Sequence, residues 1–128
     1  MALVGYQPLT LQTLAGYSRG LPDEERWRLV AEFLENYRWE PAEIRANLIA
    51  GEPASTDSAQ WDVFLAALAE HLAFHDGLQT PKWAGGRTLE QFWFPYNTRA
   101  ARVDALVHSP AAFRRRGVFI APQELNVV

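Results

Sequence analysis

SAQWDVFLAALAEHLAFHDG, residues 58–77, is the best-defined element in the chain. Trp61, Leu65, Leu68 and Leu72 recur at helical spacing and Phe64 broadens the stripe, which predicts an amphipathic helix from about Ala59 to Asp76. Asp57 or Ser58 stands where an N-cap is needed, because a short side-chain oxygen there accepts from an unpaired backbone N–H of the first turn. Gly77 supplies the stop, since it enters the left-handed conformation without a Cβ clash. A helix of this length sets the scale of the fold, and the remaining elements read as shorter helices laid around it.

Toward the N-terminus, residues 10–19 place Leu11, Leu14 and Tyr17 or Ser18 on one side, with Gly16 weakening the helix and Gly20 ending it. Pro22 suits a first helical position, and Asp23, Glu24 and Glu25 complement the positive end of the helix dipole. Trp27, Val30, Phe33 or Leu34, and Tyr37 continue that helix, and Pro41 restarts the chain into a shorter one carrying Ile44, Leu48 and Ile49. Residues 51–58 read as a loop.

Toward the C-terminus, residues 77–87 are irregular, with a double glycine at 85–86. Thr88 and Gln91 have capping-box spacing, which predicts a helical turn that Pro95 cuts short. Asn97 is placed to cap a helix over 98–108 with Ala101, Ala105 and Leu106 inward, and Ser109-Pro110 opens one more short helix that Gly117 ends. Val118, Phe119 and Ile120 form the most strand-like segment, ahead of a turn at Pro122. The expectation is a mainly α protein: a compact bundle of five to six short helices in a single domain over 1–128, with room for one small β-hairpin near the C-terminus.

Composition narrows the function. With 128 residues, 48% hydrophobic and sixteen aromatic side chains (five Trp, seven Phe, four Tyr), the chain can bury a core without metals or disulfides. Zero cysteines excludes disulfide scaffolds, thiolate metal sites and thiol nucleophiles, and fits a reducing cytoplasm. No apolar run reaches the roughly 20 residues that span a bilayer. No basic segment precedes an apolar stretch at the start, so no signal peptide is expected. Residues 1–76 carry a local charge of −7 (twelve acidic side chains, five arginines) and residues 77–128 one of +4, within a net −3. Separated charge predicts an acidic and a basic surface unless the halves neutralise each other across the fold.

Sites for chemistry are few. His71 and His75 stand one turn apart, the spacing of a two-His metal pair, with Asp76 or His108 as a third ligand. Glu70 precedes the first His instead of following it, so the metalloprotease pattern is absent, and a hydrogen-bonded His beside a leucine stripe is the plainer reading. No G-x-S-x-G elbow, Walker loop or G-x-G-x-x-G occurs. Catalysis and cofactors are therefore not expected.

Binding features are richer. Arg114-Arg115-Arg116 sits where a helix ends, which explains one or two cations by the dipole but not three. With Arg99 and Arg102 it reads as an anion-facing patch. Trp83, Phe92, Trp93, Phe94 and Tyr96 lie in the same half, and three consecutive aromatics cannot all face one core. Either a loop wraps the helices or the segment is a partner-binding hot spot, for which Trp, Tyr and Arg are enriched.

The run from Trp61 onward, and in particular ALAEHLA, the tryptophan after Gly77-Leu78, and HSPAAFRRRGVFI, resembles the C-terminal region of small actinobacterial-type regulators with a helix-turn-helix description. Such proteins stand beside nucleotidyltransferase-like toxins. The resemblance covers a little over half of the chain and implies an antitoxin-like role, with no catalytic residues to transfer. The first sixty residues depart from it, because 22–50 is acidic where a DNA-reading helix carries Arg, Lys, Asn or Gln. The expected function is thus a non-catalytic protein-binding module that occludes a partner through Trp83, Trp93, Phe94, Tyr96, Arg99, Arg102, Arg114, Arg115 and Arg116. A DNA-binding regulator is the alternative, and a small metal-dependent hydrolase on His71 and His75 a second one.

Overall fold

The computed structural model describes residues 7–125. Among them run six α-helices, α1 (Leu11–Ser18), α2 (Asp23–Arg38), α3 (Ala42–Ala50), α4 (Ala59–Asp76), α5 (Arg99–His108) and α6 (Ala111–Arg114), with 3-10 turns at Lys82–Gly86 and Pro122–Leu125. The bundle is mainly α, as the periodicity predicts.

α4 begins where Ser58 Oγ accepts from the Trp61 N–H at 3.3 Å and ends at Gly77, whose φ of 67° is left-handed. The expected one-sided stripe is too narrow. Val63 through Ala69 are all buried, so the middle of α4 is covered on every side. The reason lies in Ala66, Ala67 and Ala69, small side chains that let α3, α6 and the Lys82–Gly86 turn pack closely around it. Helix α2 lies against α1 and α3, closing the N-terminal side. Arg26 is buried there, its Nε donating to Ser18 O at 3.1 Å and its Nη2 to Thr56 O at 3.2 Å, which ties the end of α1 to the loop ahead of α4.

The C-terminal third differs from expectation in three ways. No hairpin forms among the described residues; Trp93 and Val118 make a single parallel bridge instead. The Thr88–Gln91 capping box opens no helical turn. That segment extends along residues 116–119, with Leu89 N donating to Arg116 O (2.9 Å), Trp93 N to Gly117 O (2.8 Å) and Phe119 N to Trp93 O (2.9 Å). Pairing with a distant partner satisfies the same backbone groups a helical turn would have used. Gly117 makes this path feasible through its φ of 86°, a left-handed conformation that side chains with a Cβ rarely adopt. The cap of α5 is Thr98, one residue later than Asn97, its side chain accepting from Ala101 N at 3.2 Å.

The third difference concerns α5 itself. It makes no extended packing with another helix, and Ala105 is its one buried residue. Leu106, expected inward, is 50% exposed, as Val103 (57%) and Val107 (64%) are also. Leu106 lies on the face opposite Ala101 and Ala105, and that inner face alone is enough to seat α5 against Phe119, Ile120 and Ala121.

Candidate functional site

The predicted interaction residues divide into an inward and an outward set. Trp83, Trp93 and Tyr96 turn toward the helices and pack against the hydrophobic core. Trp83 Nε1 donates to Ala50 O at 3.2 Å, with the Arg87 guanidinium 4.9 Å above its ring. Trp93 meets Trp61 edge-on at 5.6 Å, and Tyr96 lies 5.1 Å from Trp27. Burial, with the Glu124 charge nearby, pushes the Tyr96 hydroxyl above its ordinary pKa. These rings anchor the loop that runs past Pro95, which is the wrapped-loop arrangement at 83, 93 and 96.

Arg116 also leaves the predicted patch. Its side chain is fully covered, with Nη1 donating to Glu70 Oε1 and to Ala112 O (2.8 Å), and Nη2 to Ala84 O (2.8 Å). Arg115 reaches the same carboxylate oxygen, Nη2 at 2.6 Å and Nε at 3.0 Å, while remaining half-exposed. Burial pushes the Glu70 carboxyl up, and the hydrogen bonds and charges of both arginines together outweigh it, holding the group below the usual carboxylate range. The cluster ties α6 to α4 and to the Lys82–Gly86 turn. The sequence alone presents three equal arginines at a helix end; in the fold Arg115 and Arg116 share Glu70, and Arg114 turns to the end of α5.

The outward set is contiguous. Phe119 lies beneath Phe92 (5.0 Å, edge-on) and Phe94 (5.2 Å, stacked), and Phe92 is 72% exposed. Arg102 lies 5.1 Å over the Phe94 ring, and Arg114 5.6 Å over Phe119. Arg114 Nη2 also donates to Leu106 O at 2.7 Å, which places it at the C-terminal end of α5. Around these rings stand exposed Arg99, Arg102, Val103, Leu106 and Val107.

Ion pairing separates this surface from the rest of the molecule. Arg19, Arg26, Arg28, Arg38, Arg45, Arg87, Arg115 and Arg116 each pair with an Asp or Glu side chain. Among the described residues Arg99, Arg102 and Arg114 face no carboxylate, and all three lie on or beside α5. Among the arginines, then, those that face no carboxylate stand where aliphatic residues are also uncovered.

Sequence reasoning missed a polar cluster at the far end of the bundle. A cleft of about 350 Å³ is lined by Leu34, Tyr37, Arg38, Arg45, Leu72, His75, Asp76 and Leu125. Tyr37 donates from its hydroxyl to Asp76 Oδ2 at 2.5 Å, and Arg45 Nη1 stands 3.3 Å from Asp76 Oδ1. Arg45 further donates to Tyr37 O and Arg38 O, carbonyls of the last turn of α2. Burial, then the bond to Asp76, raises the Tyr37 hydroxyl well above its ordinary pKa, so it serves as a donor and not as a base. The partners are separated by 39 residues, and no local signal connects them.

His71 and His75 do come together, ring centroids 4.4 Å apart, and His71 also meets Phe113 edge-on. Burial and the neighbouring His75 lower the His71 pKa from its ordinary 6.5 to about 4, with Asp76 opposing. Neither third ligand suggested by the sequence faces the pair: Asp76 turns to Tyr37 and Arg45, and His108 lies 4.0 Å from Asp104 on α5. No three His, Asp or Glu side chains are grouped to hold a metal among the described residues. Nor is any helix among them long and apolar enough to cross a membrane.

Compared with known proteins, the chain matches no family model, no curated protein and no solved structure.

Proposed function

We propose that the chain is a non-catalytic protein-binding module, an antitoxin-like or regulatory adaptor that works in a reducing cytoplasm and occludes a partner through the outer face of α5 and the Phe92–Phe94 segment. One observation carries this reading: the arginines without a carboxylate coincide with the longest exposed aliphatic stripe, Val103, Leu106 and Val107. Uncovered apolar residues interleaved with arginine and phenylalanine are the composition of a protein interface. A nucleotidyltransferase-like toxin is the kind of partner that the sequence resemblance favours. The uncovered outer face of α5 supports steric occlusion as the mode of action, with Arg99 and Arg102 meeting carboxylates of the partner.

The same unpaired arginines support a second reading, a DNA-binding regulator. The aliphatic stripe weighs against it, since phosphates reward cations and polar donors and leave exposed Val and Leu unused.

A photo-crosslinking residue at Val107, with one at Ile44 as the control, tests the proposal in native lysate. A protein adduct from position 107 and none from 44 is expected. No adduct at 107, or equal adducts at both positions, contradicts it. A gel shift with the upstream DNA of its own gene, steeply salt-dependent and sequence-selective, would transfer the surface to the second reading.

A further inference from the structure

The outer face of α5 has an order as well as a composition. Arg99, Arg102, Val103, Leu106 and Val107 occupy positions i, i+3, i+4, i+7 and i+8, one side of the helix, and all are exposed. Arg99 and Arg102 stand at its N-terminal end. Arg114 reaches the other end from α6, donating to Leu106 O at 2.7 Å and approaching Val107 O at 3.4 Å. Cations therefore bracket an aliphatic centre, and Arg99 to Val107 spans about 12 Å at the helical rise.

Resting on the protein-binding reading above, we propose that this face takes an acidic amphipathic helix of a partner protein, with carboxylates two turns apart on either side of an apolar pair. The matching pattern is Asp or Glu, two intervening residues, two apolar residues, two intervening residues, and Asp or Glu, so that i and i+7 span roughly 10 Å. The carboxylates meet Arg99 and Arg102 at one end and Arg114 at the other, while the apolar pair covers Val103, Leu106 and Val107. Arg102 and Arg114 already have ring or carbonyl contacts, and a guanidinium has donors enough to keep some for a carboxylate.

Charge disfavours the other occupants. In a two-fold dimer through this face, each of the unpaired arginines would face the same cationic patch on the second copy, with no acidic side chain on the stripe to answer it. An anionic membrane would meet a helix of only ten residues, in a chain of net charge −3. Duplex DNA leaves the aliphatic centre without a partner.

The probe is a synthetic alanine-rich helical peptide carrying Glu, Leu, Leu and Glu at that spacing, titrated against the full chain by fluorescence anisotropy. Binding is expected at low salt, weakening at least about tenfold between about 50 and about 500 mM NaCl. The R99E/R102E/R114E variant, checked for an unchanged helical circular dichroism spectrum, should lose the Glu peptide and gain the corresponding Lys peptide. Leu106→Asp, with the arginines intact, should lose the Glu peptide and gain no Lys peptide. Equal binding of Glu and Lys peptides overturns the proposal, as does absence of Glu-peptide binding or preference for phosphatidylserine vesicles or duplex DNA. If the Val107 crosslink persists but the Glu peptide does not compete with it, the occupant is wrong and the protein-binding reading stands. If the crosslink itself is absent, the reading falls too.

Discussion

Helices α4 and α5 both combine alanines with larger aliphatic residues and end up in opposite circumstances. α4 is enclosed by α3, α6 and the Lys82–Gly86 turn, and its one central acid, Glu70, is met by two arginines. α5 seats a narrow alanine face, leaves its larger aliphatic residues to solvent, and carries arginines that meet no acid. The physical difference is how far round each helix the buried side chains reach. Ala66, Ala67 and Ala69 bring neighbours close all round α4, whereas Ala101 and Ala105 seat only one side of α5. One helix is where the fold is held, and the other is where it has surface to offer.

The largest expected effect is on the inner side. Arg116→Ala strips the buried partner from Glu70 and from the carbonyls of Ala84 and Ala112, and should cost about 3–5 kcal/mol in urea unfolding. Arg99→Ala, on the outer side, should cost under about 0.5 kcal/mol. Comparable losses at both positions would erase the distinction.

Gly117→Val comes next. It forces a β-branched residue to a φ of 86° and crowds Leu89, so a loss of about 2–3 kcal/mol is expected by the same measurement. The variant also loosens the floor under Phe92 and Phe94, which links the two regions.

A smaller effect depends on pH. Because the folded-state pKa of His71 lies below its ordinary value, the unfolded chain takes up the proton first. The contribution of neutral His71 is complete above about pH 6.5 and is lost as the pH falls toward about 4. With screening at its partly exposed edge, the loss is on the order of 1–2 kcal/mol. His71→Gln should flatten the stability curve over that window. Glu70 adds a further loss at lower pH still, as its depressed carboxyl finally protonates.

How much of this was legible in the sequence follows from range. The Ser58 cap, the Gly77 stop and the proline-marked starts of α2 and α3 are local signals, and they read correctly. The inward turn of Trp93 depends on a bridge to Val118, and the burial of Arg116 on partners 46 and 32 residues away. Nothing in RRR distinguishes its members before those partners are in place. The Tyr37–Asp76–Arg45 cluster was invisible for the same reason. Of the predicted interface, the outward part was indicated by three adjacent aromatics, and Phe92 and Phe94 are the ones left at the surface. The stripe on α5 was misread at Leu106 because its periodicity fits an inner face as well as an outer one.

Amide hydrogen exchange, with and without the Glu-Leu-Leu-Glu peptide, tests the central assignment most directly. Added protection is predicted in residues 92–94 and 99–108, with α4 already protected and unchanged. Protection appearing instead around Tyr37, Arg45 and Asp76, or no change along α5, would contradict it.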